Sequence, residues 1–260
     1  MGTFLFDKII FGPVKSRRLG VSLGINLLPN RKKVCNFNCI YCECGWSQSV
    51  ESEGGYLPSR NEVYEALASR LQEMKVKNHK PDVITFAGNG EPTLHPDFSG
   101  IIDDSLKLRN NFFPEAKIAV LSNSTTIANP KVREALLKVD MNILKLDSAF
   151  DLTVSIHNQP RVNIRVEELI ENLRKFNGRL IIQTLFLRGS FNGKTIDNTT
   201  PEEISAWLEA LVKIKPEEVM IYTFSRDTPE GGQLNKVPAE ELREIALKVE
   251  KLGIKTRVSG

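Results

Sequence analysis

Short apolar runs rich in β-branched residues alternate with longer helical patterns along most of this chain of 260 residues. Such alternation is typical of parallel strands joined by right-handed helical crossovers. About six strands are too few for a closed eight-stranded barrel, so we predict an α/β fold, either a partial (βα)6 barrel or an open sheet. In both, ligands gather at the carboxyl ends of the strands. The predicted strands are 21–28, 83–86, 118–121, 143–146, 180–187, 219–222 and 254–258, and the predicted helices are 60–74, 131–139, 201–214 and 238–252.

Four cysteines lie close together, at Cys35, Cys39, Cys42 and Cys44, and the chain has no others. Disulfides usually connect distant segments of small secreted domains, and this chain is not small. Its first residues, 1–8, also lack the basic and apolar regions of a secretory signal. A tight group of cysteines in such a chain indicates metal or redox chemistry.

The spacing Cys35-x3-Cys39-x2-Cys42 supplies three thiolates from one loop that directly follows the first predicted strand. Most [4Fe-4S] clusters take four cysteines, so three ligands leave one iron open for a substrate or cofactor. The main alternative is a zinc ion held by all four cysteines, although the paired C-x2-C spacing of such sites is absent. We interpret Cys44 as a bystander thiol, with a redox or substrate-contacting role as the alternatives.

The motif, with an aromatic residue directly before its last cysteine, resembles the radical S-adenosylmethionine (SAM) superfamily. The resemblance implies a partial barrel of the radical SAM type, in which Cys35, Cys39 and Cys42 hold a [4Fe-4S] cluster. It implies that the open iron chelates SAM and that Tyr41 lies near the adenine. The cofactors then carry the chemistry: SAM is cleaved reductively to methionine and a 5′-deoxyadenosyl radical, which abstracts hydrogen from a substrate.

Several turns that follow the later predicted strands also resemble the family's SAM-binding segments. Residues 89–92 read Asn-Gly-Glu-Pro where the family has a Gly-Gly-Glu-Pro-like turn for the SAM amino group. Glycine allows close approach of the backbone, and a carboxylate suits an ammonium group. The predicted SAM-binding residues are Tyr41, Gly90, Glu91, Ser122, Asn123, Asp147 and Gln183. For Asp147 a helix-capping role is equally open, and Gln183 faces either the pocket or a neighbouring strand.

The N-terminal stretch 11–24, FGPVKSRRLGVSLG, resembles uncharacterised iron–sulfur oxidoreductases related to the wyosine-base radical SAM enzymes of tRNA. This indicates relatives rather than a substrate, so a small molecule, tRNA or a protein all remain open. The net charge of +3 is too small to indicate nucleic-acid binding by itself. We interpret Arg17 and Arg18 as members of structural ion pairs, with a fork for a carboxylate or phosphate as the alternative.

We expect a single radical SAM domain over residues 1–260, with 1–20 as an N-terminal extension. We also expect a cytoplasmic protein without membrane contact, because no apolar run approaches the length of a membrane span. The expected partner is a reductant such as flavodoxin or ferredoxin. Alternative functions are a wyosine-like tRNA-modifying enzyme, a glycyl-radical activase, and a non-catalytic iron–sulfur or zinc scaffold.

Two segments rich in Gly, Ser or Asn, 46–59 and 189–199, are predicted to be loops or lids. The three histidines, His79, His95 and His157, have no spacing typical of metal ligands, and we interpret them as structural. Tyr222 ends a predicted strand and is interpreted as a core residue.

Overall fold

The computed structural model describes residues 4–16, 18–48, 55–225 and 233–260. Its strands are β1 (Ile10–Ser16), β2 (Gly20–Ile25), β3 (Val83–Phe86), β4 (Lys117–Ser122), β5 (Met141–Lys145), β6 (Ile181–Leu185), β7 (Leu187–Phe191), β8 (Lys194–Asp197), β9 (Glu218–Tyr222), β10 (Leu234–Lys236) and β11 (Lys255–Ser259). Its helices are α1 (Arg60–Val76), α2 (Phe98–Phe112), α3 (Pro130–Leu136), α4 (Asp151–His157), α5 (Val166–Arg174), α6 (Pro201–Ile214) and α7 (Ala239–Glu250), with a short 3-10 helix at Pro92–Leu94. In this described part of the chain, no helix has the length and apolarity needed to cross a membrane.

Eight strands form the main sheet in the order β1-β2-β3-β4-β5-β6-β9-β11. All neighbours from β2 to β11 are parallel, and β1 pairs antiparallel with β2 at the edge. The two edge strands do not pair, but the sheet curls enough for Arg257 of β11 to donate a 2.7 Å hydrogen bond to the carbonyl of Arg18, just before β2. The predicted α/β partial barrel is therefore confirmed. The predicted N-terminal extension contributes β1 to it.

Side chains alternate between the two faces of this sheet, as the pleat of a strand requires. The outer face packs against the helices in the main core, where Ile25 of β2 and Phe86 of β3 meet residues such as Leu67 of α1. The inner face has a smaller apolar cluster near the amino ends of the strands. Its members are Val83, Ala119, Met141, Ile143, Ile181 and Met220, with Leu19 of the β1–β2 turn packed against them. This end of the barrel is filled, which leaves the carboxyl ends for chemistry.

A second sheet, with strand order β10-β7-β8, lies at the carboxyl end of β6. The prediction of a loop at 189–199 is wrong, because β7 and β8 form a hairpin there. Its two-residue turn, Asn192-Gly193, has positive φ at both positions, 49° and 74°, which is the geometry that joins twisted antiparallel strands. The predicted strand 180–187 is divided between the two sheets. In the structure β6 ends at Leu185 in the main sheet, and β7 begins at Leu187 in the second sheet.

The remaining predicted elements are found with shifts of a few residues at their ends. The first predicted strand, 21–28, ends earlier, because β2 stops at Ile25 and the Asn26 side chain donates to the Leu28 carbonyl at 2.9 Å. Helices α2, α4 and α5 were not predicted. Within the predicted loop 46–59, residues 49–54 lie outside the described residues, and the described part forms no helix before α1 begins with a Ser59–Glu62 capping box.

Candidate active site

The three cysteines of the motif lie on the loop that follows β2, at the carboxyl end of the strand. This loop is tied to two neighbours by main-chain hydrogen bonds. Val34 donates to the carbonyl of Asn89 at 2.8 Å and accepts from the amide of Glu91 at 3.1 Å, which joins the loop to the turn after β3. On the other side, Ile40 donates to the carbonyl of His157 at 3.0 Å, at the end of α4. The thiols are thus held between elements that are far apart in sequence.

Amide N–H groups surround two of the three thiols. Cys35 Sγ accepts two hydrogen bonds of 3.4 Å, one from the main-chain N–H of Phe37, two positions later, and one from Asn123 Nδ2. Cys39 Sγ accepts from Asn158 Nδ2 at 3.4 Å. Such hydrogen bonds stabilise negatively charged sulfur and help to set the potential of iron–sulfur clusters.

A buried lysine adds a positive charge beside the thiols. Lys33 is 3% exposed, and its Nζ donates to the Gly45 carbonyl at 2.9 Å. A hydrogen bond from Cys44, reinforced by Lys33, lowers the pKa of Cys42 to about 5, against the effect of burial. Burial raises the pKa of Cys35 to about 12. Metal ligation requires thiolates, so assembly of a cluster here would release protons.

Within the described residues, no group of three or more His, Cys, Asp or Glu side chains lies close enough together to hold a metal ion. The fit of an iron–sulfur cluster therefore depends on the donors just described: Cys35, Cys39 and Cys42 on one loop, amide N–H groups on two sulfurs, and the Lys33 ammonium. This donor set suits a cluster with thiolate ligands. Cys44 differs from the other three, because its thiol lies 3.5 Å from the Gly88 carbonyl and contacts Cys42.

Gly90 and Glu91 form the turn that links the cysteine loop to β4. Gly90 has φ of 138°, and a Cβ at this position would clash with the carbonyl of Val34, so only glycine lets the two segments approach. The Glu91 carboxylate accepts from Asn123 N at 2.6 Å and from Thr93 N at 3.1 Å. Burial raises the pKa of Glu91, although these hydrogen bonds oppose the shift. Glu91 therefore connects the ends of β3 and β4; its contact with SAM stays a prediction.

Asn89, where the family has glycine, is fully buried and binds the N-terminal segment. Its side chain exchanges two hydrogen bonds of 2.8 Å with the main chain of Phe6, one donated and one accepted. It also donates to the Pro29 carbonyl at 2.8 Å. A glycine could not make these bonds, so the departure from the family pattern fixes the N-terminal segment beside the cysteine loop.

Asp147 is the centre of a buried polar network behind Cys39. Its carboxylate accepts from the Tyr41 hydroxyl, from Asn158 Nδ2 at 2.8 Å and from Leu185 N at 3.0 Å. Lys145 Nζ lies 3.4 Å from this carboxylate and 3.0 Å from the Tyr41 hydroxyl. Although burial favours the neutral acid, Lys145 and the hydrogen bonds hold the pKa of Asp147 below its usual range.

This network changes the interpretation of two predicted residues. Asp147 does not cap a helix, since Phe150 precedes α4 at the capping position. The capping alternative is therefore wrong, whereas the contact of Asp147 with the SAM ribose stays a prediction. The hydroxyl of Tyr41 is directed towards Asp147 and Lys145, so any contact with adenine would use its ring or main chain.

The predicted SAM residues fall into three groups. Gly90, Glu91, Ser122 and Asn123 lie together near Cys35, because Ser122 and Asn123 both bind Glu91. Tyr41 and Asp147 lie near Cys39. Gln183 lies apart, inside the barrel, where its Oε1 accepts from Arg18 at 3.3 Å.

Other sequence predictions have mixed outcomes. Arg17 lies outside the described residues. His95 is buried, with its Nε2 2.8 Å from the carbonyl of Pro58, in agreement with a structural role. Tyr222 is half-buried and packs against the apolar cluster that contains Leu185 and Leu187, as expected of a core residue, and it also contacts Lys145 and Arg18.

Sequence reasoning missed Lys33, Lys145 and Asn158 as site residues. Lys145 ends β5, two positions before the predicted Asp147, and this position was a usable signal. Lys33 is only two positions before Cys35, but the basic residues around it left a solvated face and an anion-binding role equally open. Asn158 follows α4 and has no sequence pattern that marks it.

The buried imidazole of His157 makes stability depend on pH. Neither nitrogen of the His157 ring has a hydrogen-bond partner among the described residues, and burial lowers the pKa of His157 to about 4. Because the folded state binds this proton less readily than the unfolded state, its contribution to stability is complete above about pH 6.5 and is lost as the pH falls towards 4.

We expect the free energy of unfolding to fall by up to about 3 kcal/mol over this range from His157 alone. His157→Phe should remove this component, measured by urea unfolding at pH 7 and pH 4.5. His79→Gln, at an exposed position, is the control and should keep the wild-type pH dependence. An unchanged pH dependence in His157→Phe would show that another group is responsible.

Comparison with known proteins identifies the class. The sequence profile of the Radical SAM superfamily matches residues 30–197, which include the cysteine loop and all the predicted SAM-binding residues. The chain therefore belongs to the Radical SAM superfamily. It is thus an enzyme, and membership supports SAM and an iron–sulfur cluster as its cofactors.

More particular relatives are the UPF0026 proteins. The chain is 32% identical over 244 residues to the UPF0026 protein of Helicobacter pylori strain J99, a match that covers 92% of this chain and 73% of that protein. It is also 31% identical over 229 residues to a Brachyspira hyodysenteriae protein named GTPase Obg. This second match covers 86% of the chain but only 31% of that protein, so the chain spans about a third of its length.

Solved structures share the fold at low sequence identity. A radical SAM methyltransferase from Sphaerobacter thermophilus matches with a TM-score of 0.66 at 13% identity, over 92% of this chain and 65% of that one. The archaeal wyosine enzyme TYW1 matches with a TM-score of 0.51 at 14% identity, over 88% and 71% of the two chains. The resemblance predicted from the sequence is confirmed at the level of superfamily and fold.

Proposed function

We propose that this enzyme uses a [4Fe-4S] cluster on Cys35, Cys39 and Cys42 to cleave SAM reductively and abstract hydrogen from its substrate. When bound, the cluster supplies one electron that splits SAM into methionine and a 5′-deoxyadenosyl radical, which takes a hydrogen atom from the substrate to give 5′-deoxyadenosine. The reaction type is then an oxidoreductase or lyase reaction that begins with a substrate radical.

The observation that carries this proposal is the set of three thiols on one loop, with side-chain amides from the ends of β4 and α4 on two of the three sulfurs. Asn123 donates to Cys35 and Asn158 to Cys39, while Cys44, outside the three-cysteine motif, contacts both Cys42 and the Gly88 carbonyl. Three ligands leave an open iron. The turn of Gly90 and Glu91, held against the same loop, supports a SAM site beside that iron.

Metal analysis and product analysis together test the proposal. The chain is reconstituted anaerobically with iron and sulfide, and we expect about four irons per chain. After reduction, SAM should give methionine and 5′-deoxyadenosine in equal amounts. One tightly bound zinc and no SAM cleavage would instead favour the scaffold alternative.

The cellular compartment and the electron donor are part of the same proposal. Reduced thiols and a low-potential cluster suit the cytoplasm, where thiols are kept reduced. We propose a flavodoxin or ferredoxin as the electron donor. Replacement of the chemical reductant by either purified protein, with continued 5′-deoxyadenosine formation, tests this choice.

A further inference from the structure

Arg18 lies in the turn between β1 and β2, and its side chain extends into the barrel. Its guanidinium stacks on the ring of Tyr222, 4.5 Å from the centroid, and Nη1 donates to Gln183 Oε1 at 3.3 Å. Gln183 lies on the same face of β6 as Ile181, and Tyr222 lies on the same face of β9 as Met220; Ile181 and Met220 belong to the inner apolar cluster. Arg18 therefore points to the interior of the barrel and not to the helical layer.

Most of the N–H donors of the Arg18 side chain have no acceptor among the described residues. A guanidinium has five N–H groups, and only one hydrogen bond from its side chain is formed with the described residues. No carboxylate among the described residues pairs with it. Within the described residues Arg18 thus forms no structural ion pair of the kind expected from the sequence, and the alternative, a fork for an oxyanion, gains support.

A second cation increases the positive potential at the same place. Lys145 Nζ lies 3.5 Å from the hydroxyl of Tyr222, the residue on which Arg18 stacks. The neighbouring Asp147 balances one of the two positive charges and is itself fully buried. In the described part of the interior, the Arg18 charge has no carboxylate to balance it. Arg18, Lys145 and Tyr222 are all partly exposed, so a solute can reach them.

The main chain of Arg18 is fixed by the opposite edge of the sheet. Arg257 of β11 donates to the Arg18 carbonyl at 2.7 Å and pairs with Glu218 of β9 at 2.9 Å. Ser16 Oγ accepts from Arg18 N at 3.3 Å. A guanidinium that is held by stacking, by one hydrogen bond and by a fixed backbone is preorganised for a ligand.

The second sheet limits what can enter the barrel. Phe191 and Leu234 of this sheet share an apolar cluster with Phe37 and Ile40 of the cysteine loop. The sheet therefore packs against that loop at the mouth. Because the second sheet partly covers the mouth of the barrel, a small-molecule substrate is favoured over a folded nucleic acid. The small net charge of +3 agrees with this.

We propose that the substrate is a small molecule with a carboxylate or phosphate group, which Arg18 binds inside the barrel with support from Lys145 and Tyr222. This rests on the proposed function, because it gives the substrate class for the same radical chemistry. The oxyanion receives N–H donors from the guanidinium fork. The rest of the molecule extends towards the carboxyl ends of the strands, where the cysteine loop lies.

Anion titration of the reconstituted full chain tests the proposal. Inorganic phosphate and malonate are titrated by calorimetry at constant ionic strength, with chloride as the reference. We expect saturable binding of at least one oxyanion and an increase in its Kd of at least about tenfold in Arg18→Leu. Arg18→Lys keeps the charge without the fork and should raise the Kd at least about threefold; it replaces the leucine variant if that one does not fold.

A matched control has the same charge change on the surface. Arg174 of α5 is half-exposed and pairs with Glu171, so Arg174→Leu should bind the anions as the wild type does. No saturable oxyanion binding in the wild type, or equal effects of Arg18→Leu and Arg174→Leu, would overturn the proposal. Binding of bulk tRNA that depends on Arg18 would also overturn it, in favour of a nucleic-acid substrate.

Two readouts separate this proposal from the proposed function. In Arg18→Leu, the Kd for SAM should increase by a smaller factor than the Kd for the oxyanion. A parallel loss of SAM affinity would assign Arg18 to the SAM site and overturn the substrate site. Anion binding without any SAM cleavage by the wild type would contradict the radical chemistry and leave the anion site standing.

Discussion

Replacement of Cys35, Cys39 or Cys42 by alanine should reduce the iron content from about four per chain to near zero and abolish SAM cleavage. In the proposed cluster each of the three thiolates would bind a different iron, so the loss of any one would leave a second iron without its ligand. Asn123 and Asn158, which donate to Cys35 and Cys39, would remain in place but would have no thiolate to stabilise. Iron and sulfide analysis, with chromatography of 5′-deoxyadenosine, measures both effects.

Cys44 is the matched control for this series. Its thiol contacts that of Cys42 but also lies beside the Gly88 carbonyl, and it falls outside the three-cysteine motif. Cys44→Ala should therefore retain the iron and the SAM cleavage of the wild type. A loss of iron in Cys44→Ala as large as that in Cys42→Ala would make Cys44 a ligand, and the account of an open iron would fail.

Asp147→Asn should lower the free energy of unfolding by about 3–5 kcal/mol, because it breaks a buried ion pair and leaves Lys145 without its partner. Asp147 has no exposed side-chain surface, and the Lys145 side chain is 11% exposed. The asparagine would also direct an N–H group at the donors of Tyr41, Asn158 or Leu185. Denaturant unfolding of the reconstituted protein at pH 7 measures the loss.

An exposed ion pair of the same kind provides the comparison. Asp103 and Lys138 lie 2.8 Å apart, with side chains 42% and 47% exposed. Asp103→Asn should cost less than about 1 kcal/mol, because solvent screens the pair. Equal losses in the two variants would mean that the Asp147 network does not stabilise the fold. Because the pKa of Asp147 is lowered, its contribution should persist down to about pH 4 and decline below it.

Most strands of the main sheet and the cysteine loop could be predicted, because the sequence patterns that mark them are local. Short apolar runs rich in β-branched residues placed β3, β4 and β9 almost at their observed bounds. The hairpin of β7 and β8 also had a local signal, the Asn192-Gly193 turn, but the polar residues around it were taken as a loop. Helix α2 likewise has helical spacing at Phe98, Ile101 and Ile102 that went unused.

The polar contacts of the site could not be predicted, because they join residues that are distant in sequence. Lys145 and Tyr41 are 104 positions apart, and Asn158 and Cys39 are 119 apart. No periodicity or spacing relates such residues; only the curl of the sheet and the position of α4 bring them together. The same holds for Arg18 and Gln183, 165 positions apart, whose contact depends on a turn at the amino end of the barrel.

The central claim is that three thiolates leave one iron open for SAM. The most direct measurement is electron–nuclear double resonance of the reduced, reconstituted chain with SAM labelled with 15N at its amino group. We predict a hyperfine coupling of the labelled nitrogen to the cluster, which shows coordination at one iron. A reduced cluster that binds SAM without this coupling, or one that shows four thiolate ligands, would contradict the account.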